Sequence, residues 1–426
     1  MNKTIKGIGI FSICLLFLAL IMPLLHISNA PILIVTGIVI FVLVELPLFL
    51  FYLNRSSQTK IGYNFLAFIS LFVFTIALFF SLQRFLIPVI IAAFLCILAG
   101  VFVIRFFYFE FKNERLSIRH FYFAHIFALF IILFILNVPI QLQAPDYTFH
   151  PVITDPAYQK GSGPTIFFDE AHNNIHTLND RLLAVGRLLE DDGYKVRSLG
   201  KQNFTLSALR DCSILVIYNA LNDKNIHNWT NPTFSAFSIE EIEILKKWVY
   251  EGGSLLLVVD HMPVSGASND LAKEFGFRLF NGHAKSYPPK DNFFYRANGS
   301  LSDNIITNGL NQNEVLDSIL SFDGSGFLIP DNAISILTFD STYFQWEPES
   351  AWALNTVEPY SIQGYSQGAF KDYGKGKIAI FGEAMMFTAQ LGAGLSWIKI
   401  GMNSEKCPDN YQLFLNTIHW LDGRMD

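Results

Sequence analysis

Residues 238–261 read SIEEIEILKKWVYEGGSLLLVVDH, and this stretch decides the fold class of the region around it. Ser238, with Glu241 three residues on, has the spacing of a capping box, in which each side chain satisfies a backbone N–H at the helix start. Ile242, Leu245 and Val249 recur at the spacing of one helix face, and Gly252-Gly253 ends the helix. Leu255 to Val259 is then a continuous apolar run, the composition of a strand buried on both faces of a parallel sheet, and it runs out into Asp260 and His261.

The same alternation recurs on either side. Thr165 to Phe168 reads as a strand, followed by Leu178, Leu182, Val185 and Leu189 at helical spacing until Gly193. Lys195 to Leu199 and Ile214 to Tyr218 supply two more strands, Gly376 to Phe381 another, and Tyr411, Phe414, Leu415, Ile418 and Leu421 a terminal amphipathic helix. Strands alternating with helices predict an α/β fold built on an open, wound, mostly parallel sheet with helices on both sides. Residues 280–373 break this rhythm with many Asn, Asp, Gly and aromatic residues and short strands around Ile336 and Ala369, so they read as an irregular insertion. Within it Trp346, Trp352, Tyr343, Tyr360 and Tyr365 are rings whose commoner use is packing and whose other use is ligand contact. Residues 144–163, rich in Pro and Gly, read as a linker that precedes an α/β domain spanning 164–426.

Residues 1–143 differ in composition. The chain has 426 residues, only 15% of them charged, and five apolar runs lie in this part: Gly7 to His26, Pro31 to Leu53, Ile61 to Leu82, Phe85 to Phe107 and Phe121 to Val138. Each is close to the roughly 20 residues that cross a hydrocarbon core, which predicts an α-helical membrane region of about five spans in contact with membrane lipid. Arg55, Lys60, Arg105, Lys112, Arg115 and Arg119 fall in alternate loops, which predicts a multi-pass cell-membrane protein with a cytoplasmic N-terminus and an extracytoplasmic α/β domain. Cleavage of the first run as a signal peptide leaves the domain on the same side. Glu45 is the carboxylate well inside a predicted span, a candidate for function or for a bond between helices. The net charge of -6 gives no basic patch and argues against nucleic acid as a partner. Cys212 and Cys407 are expected at opposite ends of the sheet and therefore unbridged.

Ligands of wound sheets bind beyond the carboxyl ends of the strands. That edge is polar here: Asp169, Glu170, His172, Asn173 and Asn174 follow the first strand, Asn219 the third, Asp260 and His261 the fourth, and Glu383 the last. Asp169, Glu170, His172, Asn173, Asn219, Asp260, His261 and Glu383 form the candidate crevice. Carboxylates and imidazoles from different strands can act as acid and base or hold a divalent metal, for which Asp169, His172, Asp260 and His261 are the candidate ligands; no other cofactor is implied. Asp169-Glu170-Ala171-His172 has the letters of a helicase box, but no phosphate-binding Gly-Lys-Ser/Thr loop lies upstream. No Ser or Cys sits on a Gly-flanked turn after a strand, which disfavours acyl transfer through a covalent intermediate.

The segments Phe167-Phe168-Asp169-Glu170-Ala171-His172-Asn173-Asn174, Phe237-Ser238-Ile239-Glu240-Glu241 with Gly252-Gly253-Ser254-Leu255-Leu256, and Phe381-Gly382-Glu383-Ala384-Met385-Met386-Phe387 resemble a type 1 glutamine-amidotransferase-like domain. The branch is the uncharacterised one similar to domains of gliding-motility and intraflagellar-transport proteins. The likeness covers roughly residues 164–423 and implies a flavodoxin-like sheet. Active amidotransferases carry a Cys nucleophile in the turn after a central strand. Asp260-His261 stand there in this sequence, which implies that glutamine hydrolysis is absent, and Glu383 stands where the branch often has Asp.

The function expected from these readings is a noncatalytic, membrane-tethered binding or scaffold protein of the cell envelope that recognises a saccharide or partner protein at the strand ends. Two alternatives stand beside it. One is a metal-dependent extracytoplasmic hydrolase of envelope saccharide or peptide, and the other is a transport-associated or sensing membrane protein.

Overall fold

The computed structural model describes residues 143–392, 398–407 and 409–425. Nearly all of these belong to one compact unit formed by Gln143–Gly392 and Lys399–Asp426. In chain order its main elements are β1 (Thr165–Phe168), α1 (Leu183–Asp191), β2 (Lys195–Ser198), β3 (Ile214–Tyr218), α2 (Ile239–Tyr250), β4 (Ser254–Val258) and α3 (Val264–Glu274). There follow β5 (His283–Ser286), β6 (Tyr343–Trp346), β7 (Ser366–Tyr373), β8 (Gly376–Phe381) and α4 (Asn410–Leu421).

The helix start in the opening stretch forms as its letters require. The Ser238 hydroxyl accepts from the Glu241 N–H at 3.2 Å, and the Glu241 carboxylate accepts from the Ser238 N–H at 3.0 Å. Ile242, Leu245, Trp248 and Val249 bury one face of α2. After Gly252-Gly253 the chain enters β4, every residue of which is buried.

The main sheet has nine strands, running β2-β1-β3-β4-β8-β7 and continuing through the short strands Phe327–Leu328 and Arg278–Leu279, while Ile334–Thr338 also pairs with β7. Four neighbouring pairs, from β2 to β8, are parallel. Side chains of β3 and β4 alternate between two cores. Leu215, Ile217, Leu255 and Leu257 join the core that packs α2 and α3, whereas Val216, Tyr218, Leu256 and Val258 join the one that packs α1 and α4. All eight are fully buried, and each aliphatic one contributes roughly 1.5–3 kcal/mol by leaving water.

Two sequence expectations are corrected. The sheet is mixed rather than mostly parallel, because β7 returns into β8 through Gly374-Lys375 and a hairpin this tight joins only antiparallel strands. The strands expected around Ile336 and Ala369 thus belong to the main sheet, paired with each other across Ile334–Thr338 and β7. The second correction concerns the membrane. The five apolar runs, and Glu45 with them, lie outside the described residues; among the described residues no helix is long and apolar enough to cross a membrane. The long helices described, α2 and α4, have 12 residues each, against about 20 for a span. The structure therefore gives no support to an α-helical membrane region or to a multi-pass placement with an extracytoplasmic domain, and these expectations are withdrawn; membrane lipid as a partner was expected from the same apolar runs, outside the described residues. Part of the predicted linker is tied down, since Ala144–Pro145 pairs with Ala389–Gly392. Cys212 and Cys407 are buried and free.

The approach of β8 to α2 leaves no room for a side chain at Gly376. A Cβ there falls 2.0 Å from the Gly253 carbonyl oxygen and 2.2 Å from that of Val249. Because both neighbours are backbone, Gly376→Ala is expected to destabilise by about 1–3 kcal/mol. Urea unfolding should register this as a lowered midpoint with an unchanged slope, and an unchanged midpoint would contradict this packing.

Candidate functional site

The residues expected at the strand ends fall into two networks. The first starts from Asp169, immediately after β1. His172 Nδ1 lies 2.9 and 3.0 Å from the two Asp169 carboxylate oxygens, and its Nε2 lies 3.1 Å from Oε1 of Glu241 in the first turn of α2. The ring sits between Phe204 and Phe237, with centroids 4.6 and 4.8 Å away. Both nitrogens facing carboxylates donate only if the imidazole is charged. Burial opposes that charge, but the bonds and charges of Asp169 and Glu241 outweigh burial and raise the His172 pKa above 6.5. The Glu241 carboxyl responds in the complementary direction: burial would raise it, yet the Ser238 N–H and the His172 charge bring it below its ordinary range.

This network is saturated by the protein itself. Asn174 Nδ2 donates to Asp169 Oδ2 at 3.1 Å and to the Tyr218 carbonyl at 2.8 Å, and Glu241 Oε1 also accepts from the Phe204 N–H at 3.2 Å. Glu170 accepts from the Leu178 N–H at 2.8 Å and the Ser198 hydroxyl at 2.6 Å. The exposed Asn173 donates to the Leu221 carbonyl and to Asp223. Together these bonds fasten the loop after β1 to β2, β3 and α2.

The second network is built on Asp260, His261 and Glu383, which follow β4 and β8. The insertion delivers the rest through backbone bonds to these strand ends: the Met262 N–H donates to the Gly282 carbonyl at 3.1 Å, the Ser325 N–H to the Gly382 carbonyl at 2.8 Å, and the Ala284 N–H to the Gly324 carbonyl at 2.8 Å. Gly324 is held at φ +94°, and a Cβ on it would meet the Gly382 carbonyl oxygen at 2.2 Å and the Glu383 Cβ at 2.8 Å. His283 thereby stacks on His261, ring centroids 4.3 Å apart and 18° from parallel. Asp323 Oδ1 lies 3.6 Å from His283 Nδ1, an electrostatic contact rather than a hydrogen bond, while Asp323 Oδ2 lies 3.1 Å from Lys285 Nζ. Trp352 packs against His261 and His283 at 4.8 and 5.2 Å, and Trp229 lies 6.3 Å from Trp352. Asp260, His261, His283 and Glu383 are buried, but Trp352 is 65% exposed. The outward face of the site is an indole.

Electrostatics here run opposite to the first network. Burial raises the Asp260 pKa, opposed by His261 and reinforced by Asp323. Glu383 is driven well above its ordinary value by burial and then by Asp260, although both its oxygens accept backbone N–H groups, from Met385 and Met386 at 2.7 Å each. Burial works to raise Asp323 too, but His283 and Lys285 bring it below the usual carboxylate range. Asn219, at φ 46° after β3, donates to His176 Nδ1 at 2.9 Å, and burial pushes His176 down to about 3, so that it is neutral. Several buried polar atoms here have no hydrogen-bond partner: both ring nitrogens of His283, Asp323 Oδ1, Asn219 Oδ1 and Gln367 Oε1.

The four candidate metal ligands are thus divided, Asp169 and His172 in one network and Asp260 and His261 in the other. Among the described residues no group of three or more His, Cys, Asp or Glu side chains is arranged to hold a metal ion. A surface pocket of about 350 Å³ opens at the opposite edge of the sheet, beside Cys212, Trp248, Gly253 and Asp422. Its Cys212 thiol is held protonated, since burial pushes it up to about 12. Sequence reasoning passed over Glu241 as a partner of His172, and it passed over His176, His283, Asp323 and Gln367 altogether. Three of these lie in or at the end of the irregular insertion, where no periodicity marks them.

No protein-family model and no curated protein matches the chain. Solved structures similar to it include the mmIFT52 N-terminal domain, 17% identical over 60% of this chain and 96% of that one, with a TM-score of 0.43. A putative ThuA-like protein from Parabacteroides merdae is 12% identical over 61% of this chain and 89% of its own, with a TM-score of 0.35. The cytoplasmic protein STM3548 from Salmonella typhimurium is 13% identical over 61% and 98%, with a TM-score of 0.32. Likenesses this distant say nothing of function.

The first network makes a pH prediction. With its folded pKa raised above 6.5, His172 contributes stability that is fully present below the unfolded value and is lost as pH rises through the folded one. Urea midpoints measured from mildly acid to alkaline pH should fall with that titration in the parent chain and lack that component in His172→Gln. Parallel profiles for the two chains would mean that His172 is not a charged clamp.

Proposed function

We propose that this domain is a noncatalytic binding domain that takes its ligand over the second network, with Trp352 and Trp229 as the contact face. The observation that carries the reading is Trp352: a large ring left 65% exposed while it seals a buried cluster of imidazoles and carboxyl groups. Exposed indoles of this kind are the residues on which binding energy concentrates. Support also comes from the turn after β4. It reads Asp260-His261-Met262-Pro263, so the amidotransferase-like reading of the domain supplies no nucleophile where that chemistry needs one. The first network supports the same conclusion, because its carboxylates and imidazole are spent on one another and on backbone N–H groups.

The test is to titrate the intact chain with panels of saccharides and synthetic peptides, following heat or indole fluorescence. Trp352→Ala is expected to weaken the bound member about tenfold or more, whereas Ile239→Ala, at an exposed position on α2, should change nothing. Equal affinity of the parent and Trp352→Ala chains would sink the reading. So would turnover of the bound compound that disappears in Asp260→Asn.

A further inference from the structure

The second network is out of balance in one direction. Asp260, Asp323 and Glu383 bring three carboxyl groups together, and among the described residues the ammonium group that faces them, Lys285, is engaged with Asp323 Oδ2 at 3.1 Å. Both oxygens of Glu383 are cradled by backbone N–H groups, an arrangement suited to the ionised form. Burial and the neighbouring Asp260 work against that ionisation. Among the described residues the other titratable groups that face the pair are His261, His283, Tyr218 at the end of β3 and Cys407, and none of these is a fixed cation.

A separate observation comes from hydrogen bonding. Buried polar groups are almost always paired, so each orphan calls for a missing partner. Around this cluster the oxygens Asp323 Oδ1 and Gln367 Oε1 and both nitrogens of the fully buried His283 have no partner within hydrogen-bond distance, Asp323 Oδ1 facing His283 Nδ1 at 3.6 Å. Oxygens of this kind accept and do not donate. What these oxygens lack is a donor, and among the described residues the positive charge that reaches the carboxyl groups comes from Lys285 and from imidazoles that carry it only when protonated. The indoles of Trp352 and Trp229 at the outward face are the rings most attractive to a cation.

We propose that the ligand of this face carries a cationic nitrogen, an ammonium or guanidinium group, which binds beneath Trp352 against the carboxyl groups of Asp260, Asp323 and Glu383. The proposal rests on the reading of the same face as a binding site and names the chemistry of what it binds. Entry displaces the Trp352 ring from the two imidazoles. Burial and Asp260 both work against ionisation of Glu383, and a cation placed here favours the ionised carboxylates, so binding strengthens as pH rises.

N-acetyl-arginine amide and its uncharged citrulline counterpart, which share a shape, are suitable probes for calorimetric titration of the intact chain. The arginine compound is expected to bind at least about tenfold tighter, to release protons when titrated in buffers of different ionisation heat, and to gain affinity as pH rises. Glu383→Gln and, separately, Asp323→Asn should reduce the preference for arginine over citrulline. If either variant fails to fold, the proton release and pH slope of the parent chain still decide. Equal binding of the two probes, or an affinity that does not change with pH, overturns the proposal. If the arginine compound does not bind but a neutral saccharide does so in a Trp352-dependent way, the cation is wrong and the binding domain stands. If nothing in either panel binds, both readings fail and the orphan atoms are satisfied by water.

Discussion

A parallel strand has to be covered on both faces, and the arrangement of this domain follows from that requirement. β3 and β4 are the middle of the parallel part, and each sends alternate side chains into a different core. With both faces committed, the strands meet water only at their ends. The carboxyl ends carry Asp169, Asn219, Asp260 and Glu383, none of which can be buried without a partner except at considerable cost. The insertion is the answer to that cost at β4 and β8. It brings His283, Asp323 and Gln367 to the two strand ends through backbone hydrogen bonds that need no particular side chain.

The two networks use the same residue types and arrive at different states. Around His172 two carboxylates flank one imidazolium, and the remaining acceptor positions are filled by Asn174, Ser238 and the Phe204 N–H. A buried charge group paired and hydrogen-bonded in this way fixes a loop and leaves nothing to offer a ligand. Around Asp260 the carboxyl groups outnumber the cations, imidazole stacks on imidazole, and donors are missing. Both sites lie at the carboxyl edge of one sheet. Only the second departs from the rule of saturation, and it is also the one fronted by an exposed indole.

How much of this was legible in the sequence depended on distance along the chain. The Ser238–Glu241 box and the Leu255–Val259 run are local, and the structure follows them nearly letter by letter. Asp260 and Glu383 were legible as strand-end residues for the same reason. The role of Glu241 was not, because its partner His172 is 69 residues away and the capping box already accounted for it. β7 was legible only as a short strand around Ala369 and not as part of the main sheet, because Ser366, Gln367, Lys371 and Asp372 are polar letters in a largely buried strand. His283 and Asp323 are placed by carbonyl and N–H groups, which every residue possesses, so nothing in their spelling announced them. The expectation of membrane spans had a different origin, in the composition of residues 1–143 alone, and nothing in the described fold supports it.

β2 has a further consequence at the margin of the sheet. As the terminal strand among the described residues it carries one row of N–H and C=O groups that no described strand pairs, and Lys195 and Arg197 stand exposed on it. At the other margin the sheet tapers to the two residues Arg278–Leu279. A second copy attempting to extend the sheet would meet positive charge on one side and a strand too short to template on the other. The domain thus limits its own capacity for edge-to-edge aggregation, and a polypeptide that associates with it has reason to do so through side chains rather than by lengthening the ladder.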